Sequence, residues 1–264
     1  MHIELQSGRA YYSTAGAGDS GPGVLFIHGA GMDHTVWTLP ARFFARHGLR
    51  VVSPDLPAHG RSSGPALTSI EAMAGWYADL AQALGLERLS VVGHSMGSLI
   101  ALELAAAQPD LVERVALFGT ASPMAVSDPL LNAARDEPPA AYRMANTWSH
   151  STDGLRGGNA NPGLWMMGQG QRLLERMPNG AYHADLSACN DYANAAETAA
   201  RVQCPAIVVA GTGDLMTRPK LGAVIADALP EARQITLPGC GHDMMNEQPN
   251  AVLDALADFI PREN

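Results

Sequence analysis

The sequence predicts an α/β fold in which a mostly parallel β-sheet carries helices on both faces. Three observations support this prediction: short apolar runs rich in β-branched residues recur along the 264-residue chain, segments with helical periodicity separate them, and the two kinds of segment alternate. Such alternation is typical of parallel sheets, because parallel neighbours are joined by a crossover that is usually a helix. The length suits one large domain.

The predicted strands are the apolar runs, taken in chain order. A hairpin-like stretch at residues 2–14 comes first. Further strands are expected at residues 24–28, 50–54, 89–93, 115–119, 206–211 and 233–237. Their Val and Ile side chains suit a sheet that is buried on both faces.

Helices are expected between these strands. In residues 69–84 the apolar side chains recur at steps of three and four, so they form one stripe that would face the sheet. The stripe consists of Ile70, Met73, Ala74, Tyr77, Leu80, Ala81 and Leu84. Another helix is expected at residues 98–107.

Residues 121–192 break the alternation, with six prolines, a glycine-rich stretch at 154–170 and no convincing strand. The segment is too long for a plain loop, and residues 139–148 and 168–177 have helical composition. We expect a core domain of residues 1–121 and 193–264 and an inserted, mainly helical cap of residues 122–192. Its sulfur and indole side chains suit either an apolar ceiling over a site or the core of the cap itself. They are Met124, Met144, Trp148, Trp165, Met166, Met167 and Met177.

Charge argues against two classes of partner. Lys and Arg number 17 and Asp and Glu 26, so the formal net charge is −9, and this negative surface repels nucleic acids and anionic membranes. Charged residues make up 16% of the chain and hydrophobic residues 47%. A large core is therefore expected, and disorder is not.

The cysteines and the N-terminus indicate the compartment. Cys189, Cys204 and Cys240 have neither the number nor the spacing of a disulfide framework or a zinc site. The N-terminus lacks the basic and apolar regions of a signal peptide, and no run of 18 apolar residues occurs. We expect a cytoplasmic protein without a membrane span.

The strongest chemical motif is Gly-His-Ser-Met-Gly at residues 93–97, where an apolar strand runs directly into a helical segment. A serine at so sharp a turn has a strained backbone, and the glycines on either side leave room for neighbouring backbone. Its hydroxyl stays exposed at a helix N-terminus, which favours a developing negative charge. Ser95 is therefore the candidate nucleophile.

A serine hydroxyl needs a base and an acid that orients the base. His242 lies in a glycine-rich loop after the last predicted strand, a place where a lone histidine is otherwise a solvated surface residue. Asp214 lies just past the end of the strand at residues 206–211, where open α/β sheets have their sites and where Asp is also a common turn residue. Ser95, Asp214 and His242 stand in the chain order Ser, acid, His.

With these residues the chain resembles the α/β-hydrolase superfamily, in its esterase-like serine hydrolase branch with a helical cap. Almost the whole chain takes part, through Leu-Phe-Ile-His-Gly-Ala-Gly at 25–31, Asp-Leu-Pro-Ala-His-Gly-Arg-Ser at 55–62, the motif at 93–97, Gly-Thr-Gly-Asp at 211–214 and Gly-His at 241–242. The resemblance implies an eight-stranded twisted sheet and an oxyanion hole made of the backbone N–H groups of Ala30 and Met96. Ala58 is a departure, because relatives usually have glycine there.

Other candidate acids are less suitable. Residues 119–122 offer no carboxylate after the preceding strand. Asp191 lies where the predicted cap rejoins the core, and Asp243, next to His242, would point elsewhere. A serine at position 95 also argues against the related dehalogenases and epoxide hydrolases, which use aspartate there.

The expected function is hydrolysis of a small to medium, mainly hydrophobic carboxylic ester, with thioesters and lactones in the same class. Its partner is a small-molecule substrate, and the chemistry needs no metal or organic cofactor. Relatives with this triad also cleave C–C bonds or catalyse perhydrolysis, and some members of the superfamily are ligand receptors with slow turnover, so these remain alternatives.

Overall fold

Eight strands form one sheet in the computed structural model, which describes residues 1–16, 18, 21–158 and 164–261. The strands are β1 (His2–Leu5), β2 (Gly8–Ser13), β3 (Gly23–Ile27), β4 (Arg50–Pro54), β5 (Leu89–His94), β6 (Val112–Phe118), β7 (Ala206–Gly211) and β8 (Ala232–Leu237). Their order across the sheet is β1-β2-β4-β3-β5-β6-β7-β8.

The pairing of the strands confirms the predicted fold class. Strands β3 to β8 run parallel, and only the β1–β2 hairpin and its junction with β4 are antiparallel. The N-terminal stretch is thus the predicted hairpin, added to one edge of a parallel sheet. Strand β6 begins at Val112, three residues before the predicted start, because Leu89 at the start of β5 already pairs with Val112.

Helices fill the connections. Those of the main body are a 3₁₀ turn at His34–Trp37, α1 (Thr38–Arg46), α2 (Ile70–Ala83), α3 (Met96–Ala107), α9 (Ala195–Ala199), α10 (Pro219–Ala228), α11 (Met244–Glu247) and α12 (Pro249–Phe259). Helix α2 carries the predicted stripe on its buried face, and Ser69 caps its N-terminus by accepting a hydrogen bond from the amide of Ala72. None of the described helices is long and apolar enough to cross a bilayer.

The sheet separates two apolar clusters. Adjacent residues of β5 illustrate this, because Val91 packs with helices α2 and α3 on one face while Val92 packs on the other, with Trp37 and Phe44. Alternation of side chains along a strand explains the division. Both faces are therefore covered, as the uninterrupted apolar runs predict.

Between β6 and α9, the described residues form helices and no strand. These helices are α4 (Asp128–Asp136), α5 (Pro138–Trp148), α6 (Thr152–Leu155), α7 (Met166–Glu175) and α8 (Ala181–Asp191), and we call them the helical insertion. Only α5 and α7 correspond to helices predicted from composition. Residues 159–163, which include Pro162 of the predicted glycine-rich stretch, lie outside the described residues.

Helices α4, α5, α7 and α8 share a small core of their own. Buried Leu130, Tyr142, Leu174 and Tyr182 pack together there. Leu130, Leu174 and Tyr182 also line a cavity above the sheet. The two interpretations of the apolar insertion residues therefore hold for some of the same side chains. The three cysteines are free thiols.

Candidate active site

Ser95 and His242 line the same cavity, which has a volume of about 310 Å³ and lies between the carboxyl ends of the central strands and the helical insertion. The loop after β3 contributes Ala30, and the loop after β7 contributes Thr217. The rest of the wall is mainly apolar and comes from the insertion. Its apolar members include Met124, Leu130, Trp148, Leu173, Leu174, Tyr182 and Leu186.

The turn that carries Ser95 joins β5 to α3 without an intervening loop. Ser95 has φ 55° and ψ −123°, a backbone conformation that non-glycine residues rarely adopt, and its amide donates to the carbonyl of Phe118 in β6 at 2.9 Å. A Cβ atom added to Gly97 would lie 2.5 Å from the carbonyl oxygen of Ile27. The glycine pattern is thus a consequence of how closely β3 and α3 approach this turn.

His242 is held by Asp214. The two side chains are 2.8 Å apart, from Nδ1 of His242 to Oδ2 of Asp214, and both are almost fully buried. Because an ionised carboxylate can only accept, Nδ1 carries the proton and Nε2 is left as the basic nitrogen. This is the arrangement by which an acid orients a general base.

Thr217 completes the environment of Asp214. Its hydroxyl donates to Oδ2 of Asp214 at 2.7 Å and lies 3.1 Å from Nδ1 of His242. The amides of Met216 and Thr217 each donate to Oδ1 of Asp214 at 2.8 Å. Sequence reasoning missed Thr217, although its position three residues after a loop aspartate is the spacing at which such backbone hydrogen bonds form.

The two partners shift each other's protonation. Burial favours neutral His242, but the charge and hydrogen bond of Asp214 outweigh it and raise the pKa of His242 above its usual 6.5. Burial likewise opposes ionisation of Asp214, but His242 and the hydrogen bonds of Thr217 outweigh it and lower the pKa of Asp214. The site therefore favours an imidazolium next to a carboxylate, the state that forms when a base takes a proton.

The loop after β3 lies directly beside Ser95. A Cβ atom on Gly29 would lie 3.2 Å from Cβ of Ser95, so the two backbones nearly touch. Ala30 follows on this loop at the cavity wall, and buried Met96 follows Ser95 as the first residue of α3. The amide of a first helical residue has no acceptor within the helix, so it is available to an anion.

His28 and His94 have structural partners. Nε2 of His28 accepts from the amide of Leu56 at 3.1 Å, so His28 is neutral, with its Nδ1 proton directed at the carbonyl of Gly29. Burial and then the charge of His59 lower the pKa of His28 to about 4. Burial and then the charge of His242 lower the pKa of His94 to about 4, and Nε2 of His94 donates to the carbonyl of His242.

The other two acids weighed from the sequence are engaged elsewhere. Asp191 is exposed at the end of α8. Asp243 points away from His242 towards His150 of the helical insertion, with Oδ2 of Asp243 3.3 Å from Nε2 of His150, and it also accepts from Asn246. Sequence reasoning did not single out His150, because its partner lies 93 residues away in the chain.

The amino-acid sequence matches a known protein family. Residues 24–255 match the model described as the alpha/beta hydrolase family. A pimeloyl-[acyl-carrier protein] methyl ester esterase from Chromobacterium violaceum is 31% identical over 255 residues, covering 91% of this chain and 94% of that protein. An uncharacterized protein from Mycobacterium tuberculosis is 41% identical over 100 residues, which are 37% of this chain and only 29% of that relative.

A solved structure agrees at the level of the fold. The enol-lactonase from Burkholderia xenovorans LB400 superposes with a TM-score of 0.87 at 24% identity, covering 98% of this chain and 99% of that one. Since the family model spans most of the chain and the sheet has the matching architecture, the protein belongs to the alpha/beta hydrolase family.

Proposed function

We propose that the protein is a serine hydrolase that cleaves a small to medium, mainly hydrophobic carboxylic ester through an acyl-enzyme on Ser95. One observation carries the proposal: Ser95, on a strained turn, lines the same cavity as His242, whose Nδ1 atom is bound to buried Asp214. A nucleophile, a base and an orienting acid are the parts that acyl transfer requires.

The reaction takes two steps. Nε2 of His242 accepts the hydroxyl proton as Oγ of Ser95 attacks the ester carbonyl, and the amides of Ala30 and Met96 donate to the oxyanion. The imidazolium then gives its proton to the departing alcohol, which leaves the acyl group on Ser95. Water, activated by His242, attacks this acyl-enzyme, and the acid and free Ser95 are released. Asp214 keeps the imidazole in the required tautomer throughout.

The helical insertion acts as a cap that selects the substrate. Leu130 of α4, Leu173 of α7 and Leu186 of α8 face the cavity above Ser95, so an alkyl or aryl chain fits there better than a charged one. Thioesters and lactones belong to the same class of electrophile and use the same steps.

The test is turnover of p-nitrophenyl esters of graded acyl length by the wild-type chain and by Ser95→Ala. We expect many turnovers per wild-type molecule, an optimum at short to medium chains, and a loss of at least about 10⁴-fold in kcat for Ser95→Ala. Circular dichroism of both proteins controls for folding.

Two results would contradict the proposal. Undiminished turnover by folded Ser95→Ala would exclude Ser95 as nucleophile. A folded wild type that turns over none of the esters would move C–C bond hydrolysis, or a receptor that undergoes ligand-induced stabilisation without turnover, ahead of ester hydrolysis.

A further inference from the structure

Asp185, in α8 of the helical insertion, reaches the loop that carries Ala30. Its Oδ2 atom accepts a hydrogen bond from the amide of Gly31 at 2.9 Å and another from Nε2 of His59 at 2.8 Å. Asp185 is fully buried and His59 is 2% exposed. One carboxylate oxygen thus joins Asp185 to His59, which is 126 residues away in the chain, and to Gly31, which is 154 residues away.

The hydrogen bonds of His59 define its charge. Nδ1 of His59 faces the carbonyl of Pro57 at 2.9 Å, while Nε2 faces Asp185. Both partners are acceptors, so both ring nitrogens must carry hydrogen and the ring is an imidazolium. Burial alone would lower the pKa of His59, but the charge of Asp185 outweighs it and raises this pKa. Asp185 and His59 therefore form a buried ion pair.

The Gly31 amide belongs to the turn that presents Ala30. The amide of Met32 donates to the carbonyl of Gly29 at 3.2 Å, which closes a four-residue turn with Ala30 and Gly31 in its centre. Gly31 has φ +68°, as the third residue of a type II turn requires. The central amide of such a turn has no acceptor within the turn, and here Asp185 supplies one.

We propose that Asp185 is a positioning residue for the oxyanion site: by holding the Gly31 amide and the His59 side chain together, it fixes the turn from which Ala30 donates to the transition state. The inference rests on the proposed function, since it needs an oxyanion at Ala30. It also makes catalysis depend on the helical insertion, because Asp185 is part of α8.

Stability alone is a poor explanation for the pair. Desolvating two charges costs about as much as their attraction returns, so a buried ion pair is seldom a net source of stability. Donors at an oxyanion site, by contrast, must be placed to within a fraction of an ångström, and a misplacement of about 1 Å costs on the order of 10²-fold in rate.

Asp185→Asn separates the two roles of the carboxylate. If the amide oxygen of the variant faces Gly31, His59 has two unfavourable states. It can keep its second proton without a counter-ion, or it can lose that proton, so that a ring lone pair faces either the carbonyl of Pro57 or the amide oxygen of the variant. If the amide nitrogen faces inward, neutral His59 is satisfied but the Gly31 amide loses its acceptor. Either arrangement disturbs the turn.

His59→Gln in the same chain is the expected rescue. The amide nitrogen of glutamine occupies about the place of Nε2, so it can donate to an asparagine oxygen that also accepts from Gly31. The double variant carries neither charge and restores the hydrogen bonds around the amide of Gly31, although the carbonyl of Pro57 loses its donor from His59. Residues in contact can also be coupled in stability, so kcat is measured per titrated active site, which removes the fraction of unfolded protein from the comparison.

The experiment measures kcat and KM on the best p-nitrophenyl ester, per active site titrated with a fluorophosphonate. We expect Asp185→Asn to lose about 10- to 100-fold in kcat with KM within about twofold of the wild type. If the loss in kcat is about 100-fold, the double variant Asp185→Asn/His59→Gln should regain at least about tenfold in kcat. If the loss is smaller, the double variant should regain most of it. Asn190→Ala is the control on the same helix: exposed Asn190 accepts a hydrogen bond from the amide of Val126, whereas buried Asp185 accepts from Gly31 and His59. The kcat of Asn190→Ala should stay within about twofold of the wild type.

A kcat of Asp185→Asn within about twofold of the wild type, or an equal loss in Asn190→Ala, would overturn the inference. If Ser95→Ala instead kept its activity, the proposed function itself would be wrong. Amide hydrogen exchange of Gly31 in the wild-type chain requires neither a folded variant nor turnover. Protection of at least about 100-fold supports the hydrogen bond to Asp185, and exchange at the rate of a free loop amide overturns it.

Discussion

Nε2 of His150 lies 3.3 Å from Oδ2 of Asp243, the residue that directly follows His242. Nδ1 of His150 donates to the carbonyl of Asn146 at 2.8 Å, and the nearby Asp243 carboxylate favours the charged ring, so that the pKa of His150 is raised despite its burial. The amide of Asp243 also donates to the carbonyl of Ser149 at 2.8 Å. The end of α5 is thereby bound to the loop that carries His242.

Removing one partner of this pair should destabilise the protein in a defined range of pH, because it leaves the other charge buried and unpaired. Asp243 and, more weakly, Glu247 raise the pKa of His150 against the effect of burial, so its contribution is complete below pH 6.5 and is lost as the pH rises through that raised value. Burial opposes ionisation of Asp243, but His150 outweighs it and lowers the pKa of Asp243, so that contribution is present above 3.8 and is lost at lower pH. The full effect lies between these limits.

We therefore expect His150→Gln to reduce the free energy of unfolding by about 3 kcal/mol at pH 6 and by clearly less at pH 9. Urea denaturation of wild type and variant at both values measures the difference. The imidazolium of His59 is present in both the wild type and His150→Gln, so its pH-dependent contribution cancels in the difference between their free energies of unfolding. Asn246→Ala, which removes an uncharged donor from the same carboxylate, should cost the same at both pH values. A loss for His150→Gln that does not change with pH would exclude the charged pair.

Asp214→Asn should lower kcat by about 10⁴-fold, because an amide favours the wrong tautomer of His242. The pH profile should change as well. Activity of the wild type falls as the pH drops through the raised pKa of His242, whereas in the variant the raising charge is gone, so the midpoint of this acid limb moves to lower pH.

Asp191→Asn is the control for the choice of acid. Asp191, one of the two alternative acids considered in the sequence, is exposed, so its removal should leave kcat and the acid limb unchanged. A large loss in Asp191→Asn together with an active Asp214→Asn would reverse the assignment.

Local sequence patterns predicted the parts of this site that a few neighbouring residues determine. Ser95 could be found because the strand, the turn and the helix around it are contiguous, and Asp214 and His242 because each follows a strand of an ordered series. Asp185 and His150 could not be found in this way. Their partners, His59 and Asp243, lie 126 and 93 residues away, and neither contact leaves a local periodicity.

The missed helices have a similar cause. Helix α8 buries one face that includes Tyr182, Asp185 and Cys189, but a charged residue and two small alanines lie on that face, so its apolar periodicity is weaker than that of α2. Its start is marked by Gly180 with φ +83°, a turn signal that also fits a loop. Burial among other helices, which depends on the whole fold, decides its structure.

Gly97→Ala should prevent stable folding. Its Cβ would lie 2.5 Å from the carbonyl oxygen of Ile27 and 2.6 Å from that of His28, and neither backbone atom can move without displacing β3. We expect a loss of more than about 4 kcal/mol, or no soluble protein.

Gly75→Ala is the same substitution without a clash. Gly75 lies within α2, and its Cβ would meet nothing within 4 Å, so the variant should gain about 0.5 to 1 kcal/mol from helix propensity. Thermal unfolding of both variants measures the contrast. Equal effects of the two substitutions would show that backbone proximity at Gly97 is not what requires glycine.

Ala58 occupies a backbone conformation that glycine adopts more easily. Its φ is +61°, in the left-handed region, which costs an L-residue with a Cβ atom about 1 kcal/mol or more. It is also the position at which the resemblance to the α/β-hydrolase superfamily predicts glycine. We expect Ala58→Gly to raise the free energy of unfolding by up to about 1 kcal/mol, the relief of strain being partly offset by the greater freedom of glycine in the unfolded chain. Ala78→Gly, in the middle of α2, should instead cost about 1 kcal/mol. Destabilisation by both substitutions in urea would show that Ala58 contributes more through its side chain than its backbone strain costs.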